Sequence, residues 1–139
     1  MNLLATAPAL LAVALTMAAC TSRTETGTGL LREFEYLGCA GDWEEDTLAP
    51  EVSSSGTRDV ATFLVRNPAT CGFDQGSDGK ARIDGDTLKL RYTLTSSGGD
   101  MAACICEYRA RFLVSDLPEG VTKVSVNGDR ARMKGELVR

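Results

Sequence analysis

The chain has 139 residues, a net charge of −4, five cysteines and no histidine. A mildly acidic balance argues against nucleic-acid binding, which needs a clearly basic face. Without histidine, Ser-His-Asp and Cys-His catalysis are excluded and the commonest ligand of zinc, copper and haem is missing. No cofactor, metal site or catalytic residue is therefore expected, and the protein reads as a non-enzyme.

The first element in chain order is an uncharged apolar run, residues 3–17, closed by Ala18, Ala19 and Cys20. Secretory signals join a charged start, an apolar stretch and a small-residue cleavage site. The last two are present; Met1-Asn2-Leu3-Leu4 carries no Lys or Arg. The run has no polar face, unlike a surface helix. It is also shorter than the roughly 20 residues of a membrane span, and Pro8 interrupts it. An ordinary signal peptide and an anchor helix are the alternatives. Met17-Ala18-Ala19-Cys20 resembles the bacterial lipoprotein signal, whose cysteine thiol takes a diacylglycerol and becomes the new N-terminus; that family prefers Leu where Met17 stands. The resemblance implies lipid attachment at Cys20, removal of residues 1–19, and the membrane as partner through acyl chains, each contributing about 0.8 kcal/mol per buried CH₂. Thr21 stands where an Asp retains Gram-negative members at the inner membrane. The implied address, in a Gram-negative host, is an outer-membrane lipoprotein facing the periplasm.

Residues 20–29 are mostly Thr, Gly and Ser and read as a lipidated cysteine with a flexible tether. Removing nineteen residues leaves about 120, one domain and not two, so residues 30–139 form a single unit. Its pattern is alternation, the signature of half-buried strands. Phe34 and Tyr36 alternate with Glu33, Glu35 and Leu37. Residues 60–65 are a compact β-rich run, ended by Asn67-Pro68 because proline cannot continue a ladder. Leu88, Leu90, Tyr92 and Leu94 alternate with Thr87, Lys89, Arg91 and Thr93. Cys104, Cys106, Tyr108, Ala110, Phe112 and Val114 alternate with a set holding Glu107, Arg109 and Arg111. Val124 with Val126, then Ala131 with Met133, close the series. Asp84-Gly85 and Asn127-Gly128 suit hairpin turns with positive φ, and Leu117-Pro118-Glu119-Gly120 links the cysteine strand to the next. Residues 41–56 read as a loop. The expected fold is all-β, an antiparallel sandwich of immunoglobulin-like or transthyretin-like kind with about seven strands.

Four cysteines remain beyond Cys20: Cys39, Cys71, Cys104 and Cys106. An even count in an exported chain implies disulfides. Cys104 and Cys106 project from one strand face with Cα atoms roughly 6.5 Å apart, so a bond between them is disfavoured. Two pairings stay open, Cys39–Cys104 with Cys71–Cys106, or Cys39–Cys106 with Cys71–Cys104, both expected on the apolar face. The competing reading is a Cu(I) site from Met101, Cys104 and Cys106. The run Cys104-Ile105-Cys106-Glu107-Tyr108, Phe112-Leu113-Val114, Leu117-Pro118-Glu119-Gly120 and the valines to Val126 resembles small bacterial lipoproteins and exported β-proteins of uncharacterised function. The resemblance covers the last third of the domain. It implies a sandwich with structural cysteines and brings no catalytic residue.

Three further features carry weaker signals. Asp42-Trp43-Glu44-Glu45-Asp46 offers Trp43 as a partner contact, since exposed Trp anchors interfaces; the competing account is a solvated loop with Trp43 folded back beside Cys39. Asp74-Gln75-Gly76-Ser77-Asp78-Gly79 lacks the closing Glu and ligand positions of a calcium loop and reads as a hairpin loop. Arg109, Arg111, Arg130, Arg132 and Lys134 form a basic stripe if their strands are neighbours, opposed by the acidic residues between 42 and 51 and able to steer an anionic partner such as lipopolysaccharide or peptidoglycan; the competing account is a solubilising strand face with edge-protecting charges. The leading functional expectation is a lipid-anchored envelope protein with a non-catalytic binding or structural role and an envelope protein or polysaccharide as partner. The alternative is an inhibitor or immunity-type protein acting on an exported hydrolase such as lysozyme, inserting a loop near Trp43 or Ser96-Ser97-Gly98-Gly99.

Overall fold

The computed structural model describes residues 24–26 and 29–139. The apolar segment and Cys20 lie outside the described residues. Ten strands follow in order: β1 Thr24–Thr26, β2 Leu31–Asp42, β3 Glu51–Gly56, β4 Val60–Thr70, β5 Gln75–Asp84, β6 Thr87–Thr95, β7 Ile105–Ser115, β8 Lys123–Val126, β9 Asp129–Arg130 and β10 Arg132–Met133. They form two packed sheets, ordered β1-β2-β7-β4-β3-β10 and β5-β6-β8-β9. The disulfide-stapled sandwich anticipated from alternation is present. The strand count exceeds the expected seven because β1, β9 and β10 are only two or three residues long, too short to carry a period-two pattern.

The long strands obey that pattern. On β7, Cys106, Tyr108, Ala110, Phe112 and Val114 are buried while Arg109 and Arg111 are exposed. This strand sits between β2 and β4, with Phe34 opposite Phe112 and Phe63 opposite Phe112 on its two sides. Phe112 also meets Tyr92 of β6 across the sandwich, with ring centroids 6.1 Å apart, and Phe34 at 5.0 Å. Burying such rings supplies the largest apolar share of the core.

Two pairings are parallel, β6 with β8 and β3 with β10. The first arises because β7 intervenes in the other sheet, so the chain returns to β8 pointing as β6 did. Turn chemistry matches the sequence. Asn127 (φ 52°) and Gly128 (φ 101°) join β8 to β9, and Gly85 (φ 59°) leads the two-residue turn between β5 and β6.

Four expectations are corrected. Residues 41–56 are not all loop: β2 runs to Asp42 and residues 51–56 form β3. Pro68 does not end β4, which continues to Thr70. Beyond Arg66 no residue of β3 pairs with β4, so Pro68 occupies an edge, where its missing N–H is tolerated. The segment read as a hairpin loop, residues 74–79, is largely strand, since β5 starts at Gln75 with an irregularity between Ser77 and Lys80. Finally, Thr24–Thr26, inside the expected tether, pairs with Glu33–Glu35 as an edge strand.

Gly76 and Gly79 explain how β5 reaches its place. A Cβ at Gly76 would stand 2.5 Å from Tyr36 Cδ2, and one at Gly79 would overlap the Phe34 ring. The β5 backbone thus lies directly on the two aromatic rings of β2.

Candidate functional site

Chemistry gathers at one end of the sandwich, where β2 and β4 finish and β7 begins. Register decides the disulfides. Thr70 opposes Ile105, so the next residue outward, Cys71, meets Cys104, and the Cys71 N–H donates to the Cys104 carbonyl at 2.9 Å. On the other flank Asp42 opposes Cys106 and Cys39 opposes Tyr108, with a bulge between them. The bonds are Cys39–Cys106, Cα atoms 5.9 Å apart, and Cys71–Cys104, 5.4 Å apart. One of the two open pairings is therefore chosen. Only Cys106 is fully buried, however; Cys39 and Cys104 are exposed at the end of the sandwich rather than on its apolar face. Both sulfurs of the Cys-x-Cys pair are oxidised, so neither offers a thiolate to copper.

The connection between β6 and β7, residues 96–104, is clamped at its base. The Asp74 carboxylate accepts from the Ser97 N–H at 3.0 Å and from the Ser97 hydroxyl, which holds Asp74 below the usual carboxylate range. The Ala102 N–H donates to the Cys71 carbonyl at 3.1 Å, and the Gly99 N–H to the Ser96 hydroxyl at 3.2 Å. Beneath, the Tyr108 hydroxyl accepts from the Phe73 N–H at 3.0 Å and donates to the Thr70 carbonyl at 3.1 Å. Met101 projects from this clamped loop, 46% exposed. Removing the bridge with Cys71→Ala/Cys104→Ala should leave the fold intact through Cys39–Cys106 while lowering stability by about 3 kcal/mol. Amide exchange should then accelerate selectively in residues 96–104; unchanged exchange there would mean that the bridge does not hold the loop.

Trp43 belongs to the same end. Its N–H donates to the Ile105 carbonyl at 2.9 Å and its indole Nε1–H to the Thr47 carbonyl at 2.8 Å. The ring lies 5.3 Å from Arg66 Cζ, a cation–π distance. Trp43 is thus folded back onto the six-stranded sheet. Arg66 is the hub of an ion-pair lattice on that outer face. It pairs with Glu107 at 2.6 Å, Glu51 at 2.6 Å and Glu45 at 3.5 Å. Glu107 also takes Arg109 at 2.6 Å, and Arg132 reaches Glu45 at 3.3 Å and Glu51 at 3.7 Å. Arg111 pairs with Glu33 and Glu35. Bonds from Arg66 and then Arg109 outweigh burial and push the Glu107 carboxyl down to about 2. A group so acidic does not serve as a proton donor near neutrality.

The anticipated basic stripe does not assemble. Arg109 and Arg111 lie on β7, Arg132 on β10 with β4 and β3 between, and Arg130 in the other sheet. Of the acidic residues nearby, Glu45 and Glu51 pair with Arg66 and Arg132, while Asp42, Glu44 and Asp46 stay exposed. Arg66 and Asp74 carry this site; no sequence pattern singled out Arg66, and Asp74 stood out only in the run read as a hairpin loop. The available signal was that Arg66 and Glu107 both fall on the outward phase of strands otherwise apolar on the inward one. No family model, no curated protein and no solved structure matches the chain.

Proposed function

We propose that this is a lipid-anchored envelope protein with a non-catalytic role, akin to the small bacterial lipoproteins its sequence resembles, which binds a partner through the stapled loop end. The observation that carries the reading is the pair of disulfides joining β7 to both flanking segments at that end. Such bonds persist in oxidising, exported compartments, and rigid loops on a rigid scaffold reduce the ordering cost of binding. Cys20 supplies the anchor and the periplasmic face of the outer membrane is the proposed address in a Gram-negative host.

A second reading, an inhibitor of an exported hydrolase, draws on the clamped loop with Met101 at its crest. Preorganised, exposed and disulfide-based, it is suited to insertion into a cleft. Intact-mass analysis of the protein isolated from expressing cells tests the anchor: the expected species begins at an acylated Cys20 and contains two disulfides. An unacylated chain, or one beginning elsewhere, overturns it. For the partner, the full chain and a Met101→Asp variant are compared in retention of envelope proteins. Stoichiometric capture of a hydrolase, lost in the variant, supports inhibition; capture insensitive to Met101 removes that loop from the reading.

A further inference from the structure

The two outer faces of the sandwich treat their cations differently. On the six-stranded sheet Arg66, Arg109, Arg111 and Arg132 each face a carboxylate. On the four-stranded sheet the β5–β6 register sets Lys80 opposite Arg91 and Arg82 opposite Lys89. All four point outward, because Ala81, Leu88 and Leu90 between them pack inward. Like charges directly opposite repel and destabilise a strand pair. Asp84 offsets Lys89. Arg82 lies in the field of the same Asp84 without contacting it, and Lys80 and Arg91 face no carboxylate within ion-pair distance among the described residues. Arg130, on β9 opposite Ser125, extends the row. There a shallow cavity of about 350 Å³ opens, lined in part by Lys123, Arg130 and Arg132. Asp84 beside Lys89 and Asp86 beside Lys123 leave Lys80, Arg91 and Arg130 in excess, so a chain with net charge −4 carries one face that is net positive.

We infer that this face, centred on Lys80, Arg82, Lys89 and Arg91, docks on the anionic phosphate headgroups of the bilayer that holds the anchor. The choice of partner rests on the anchor proposed above; the basic face itself does not. Chain length argues for the bilayer. Only three residues separate Cys20 from Thr24, a reach of about 14 Å even when fully extended. Thr24 opposes Glu35 partway along β2, and β1 touches β5, the strand that bears Lys80 and Arg82. A lipid on Cys20 therefore keeps the β5 edge beside the membrane instead of on a long stalk. Each Lys or Arg near an anionic surface strengthens attachment roughly fivefold, an effect that added salt screens. The headgroups also relieve the repulsion built into the register.

The signal was available in sequence. A two-residue turn at Gly85 and Asp86 pairs Arg82 with Lys89 and Lys80 with Arg91 by simple counting outward.

The test uses residues 21–139, which hold every described strand and both disulfides and omit the acyl site and the apolar run, with vesicles of phosphatidylcholine with or without 30 mol% phosphatidylglycerol. At low salt, binding to the anionic vesicles should exceed binding to the neutral ones by at least about tenfold. That excess should vanish in Arg82→Glu/Arg91→Glu, with both disulfides and far-UV circular dichroism unchanged. Equal binding to the two vesicle types, or an excess that survives in the variant, overturns the proposal. So does tight binding to soluble dextran sulfate without vesicle selectivity, which would make an anionic polysaccharide the partner. Acylation is read separately by mass. Vesicle selectivity without acylation would retain the face and discard the anchor, whereas acylation without selectivity would do the reverse.

Discussion

Replacing Gly79 with alanine should cost this protein about 3 kcal/mol or more of stability, one of the two largest single-residue effects expected. A methyl at this position would lie 2.6 Å from Phe34 Cδ2 and closer still to Cγ and Cβ. Overpacking usually costs about 1–3 kcal/mol because a side chain swings aside. Here the obstructing atoms include Cβ, which is fixed to the β2 backbone, so relief requires moving a strand. Phe34 is fully buried and stacks on both Phe112 and Tyr92, at 5.0 and 5.7 Å; displacing it disturbs both sheets. Gly76→Ala should act in the same direction against Tyr36. Gly98→Ala, with nothing within 4 Å of its added methyl, is the control and should stay within about 0.5 kcal/mol of wild type. Urea unfolding followed by Trp43 fluorescence measures all three. A Gly79→Ala protein as stable as the control would mean that β5 does not rest on the rings.

The second large effect concerns Glu107. Its side chain is 8% exposed between Arg66 and Arg109, and its folded pKa of about 2 lies below the ordinary 4.5. Between those two values the unfolded chain binds a proton that the folded protein refuses. Stability from this carboxylate is therefore complete above about pH 4.5 and is lost as pH falls toward 2, a contribution on the order of 3 kcal/mol. Glu107→Gln should lower stability at pH 7 by about that amount and flatten the acid limb between pH 4.5 and 2. Removing the other partner, Arg66→Ala, leaves Glu107 to Arg109 and Glu51 to Arg132 and should cost about 2 kcal/mol, less than the roughly 3–5 kcal/mol of a buried charge left with no partner. It should also change Trp43 emission, since the cation over the indole disappears. An acid limb in Glu107→Gln identical to wild type would place the relevant titration elsewhere.

Sequence made some strands legible and hid others for identifiable reasons. In β6 and β7, Leu88 to Tyr92 and Cys106 to Val114 present one apolar and one polar face, so alternation exposes them at once. In β3 only Val52 is fully buried, and the remaining Ser53, Ser54 and Ser55 are polar on both faces. The first half of β5 hides its inward phase in Gly76 and Gly79, whose packing surface is backbone, whereas Ala81 and Ile83 in the second half keep a short period-two signal. Strand order is a tertiary property. That is why the cysteine pairing stayed open between two choices and why cations on β7, β9 and β10 were grouped into a stripe that the sheets separate. The stapled end was legible in its cysteines and in Trp43, but not in Arg66, nor in the clamping role of Asp74, since both roles exist only after the strands are placed beside β7.

The position of β7 in chain order has a consequence for biogenesis. The central strand is among the last to be made, and both cysteines bound to it follow Cys39 and Cys71 by more than thirty residues. Under the export proposed above, a chain crossing a membrane N-terminus first would present Cys39 and Cys71 to an oxidising compartment while Cys104 and Cys106 are still behind. The first bridge such a chain can form is the one absent from the finished molecule. Maturation on that route would need thiol exchange, and an exporting host that lacks a disulfide isomerase should accumulate a Cys39–Cys71 species, seen by mass mapping of the bridges.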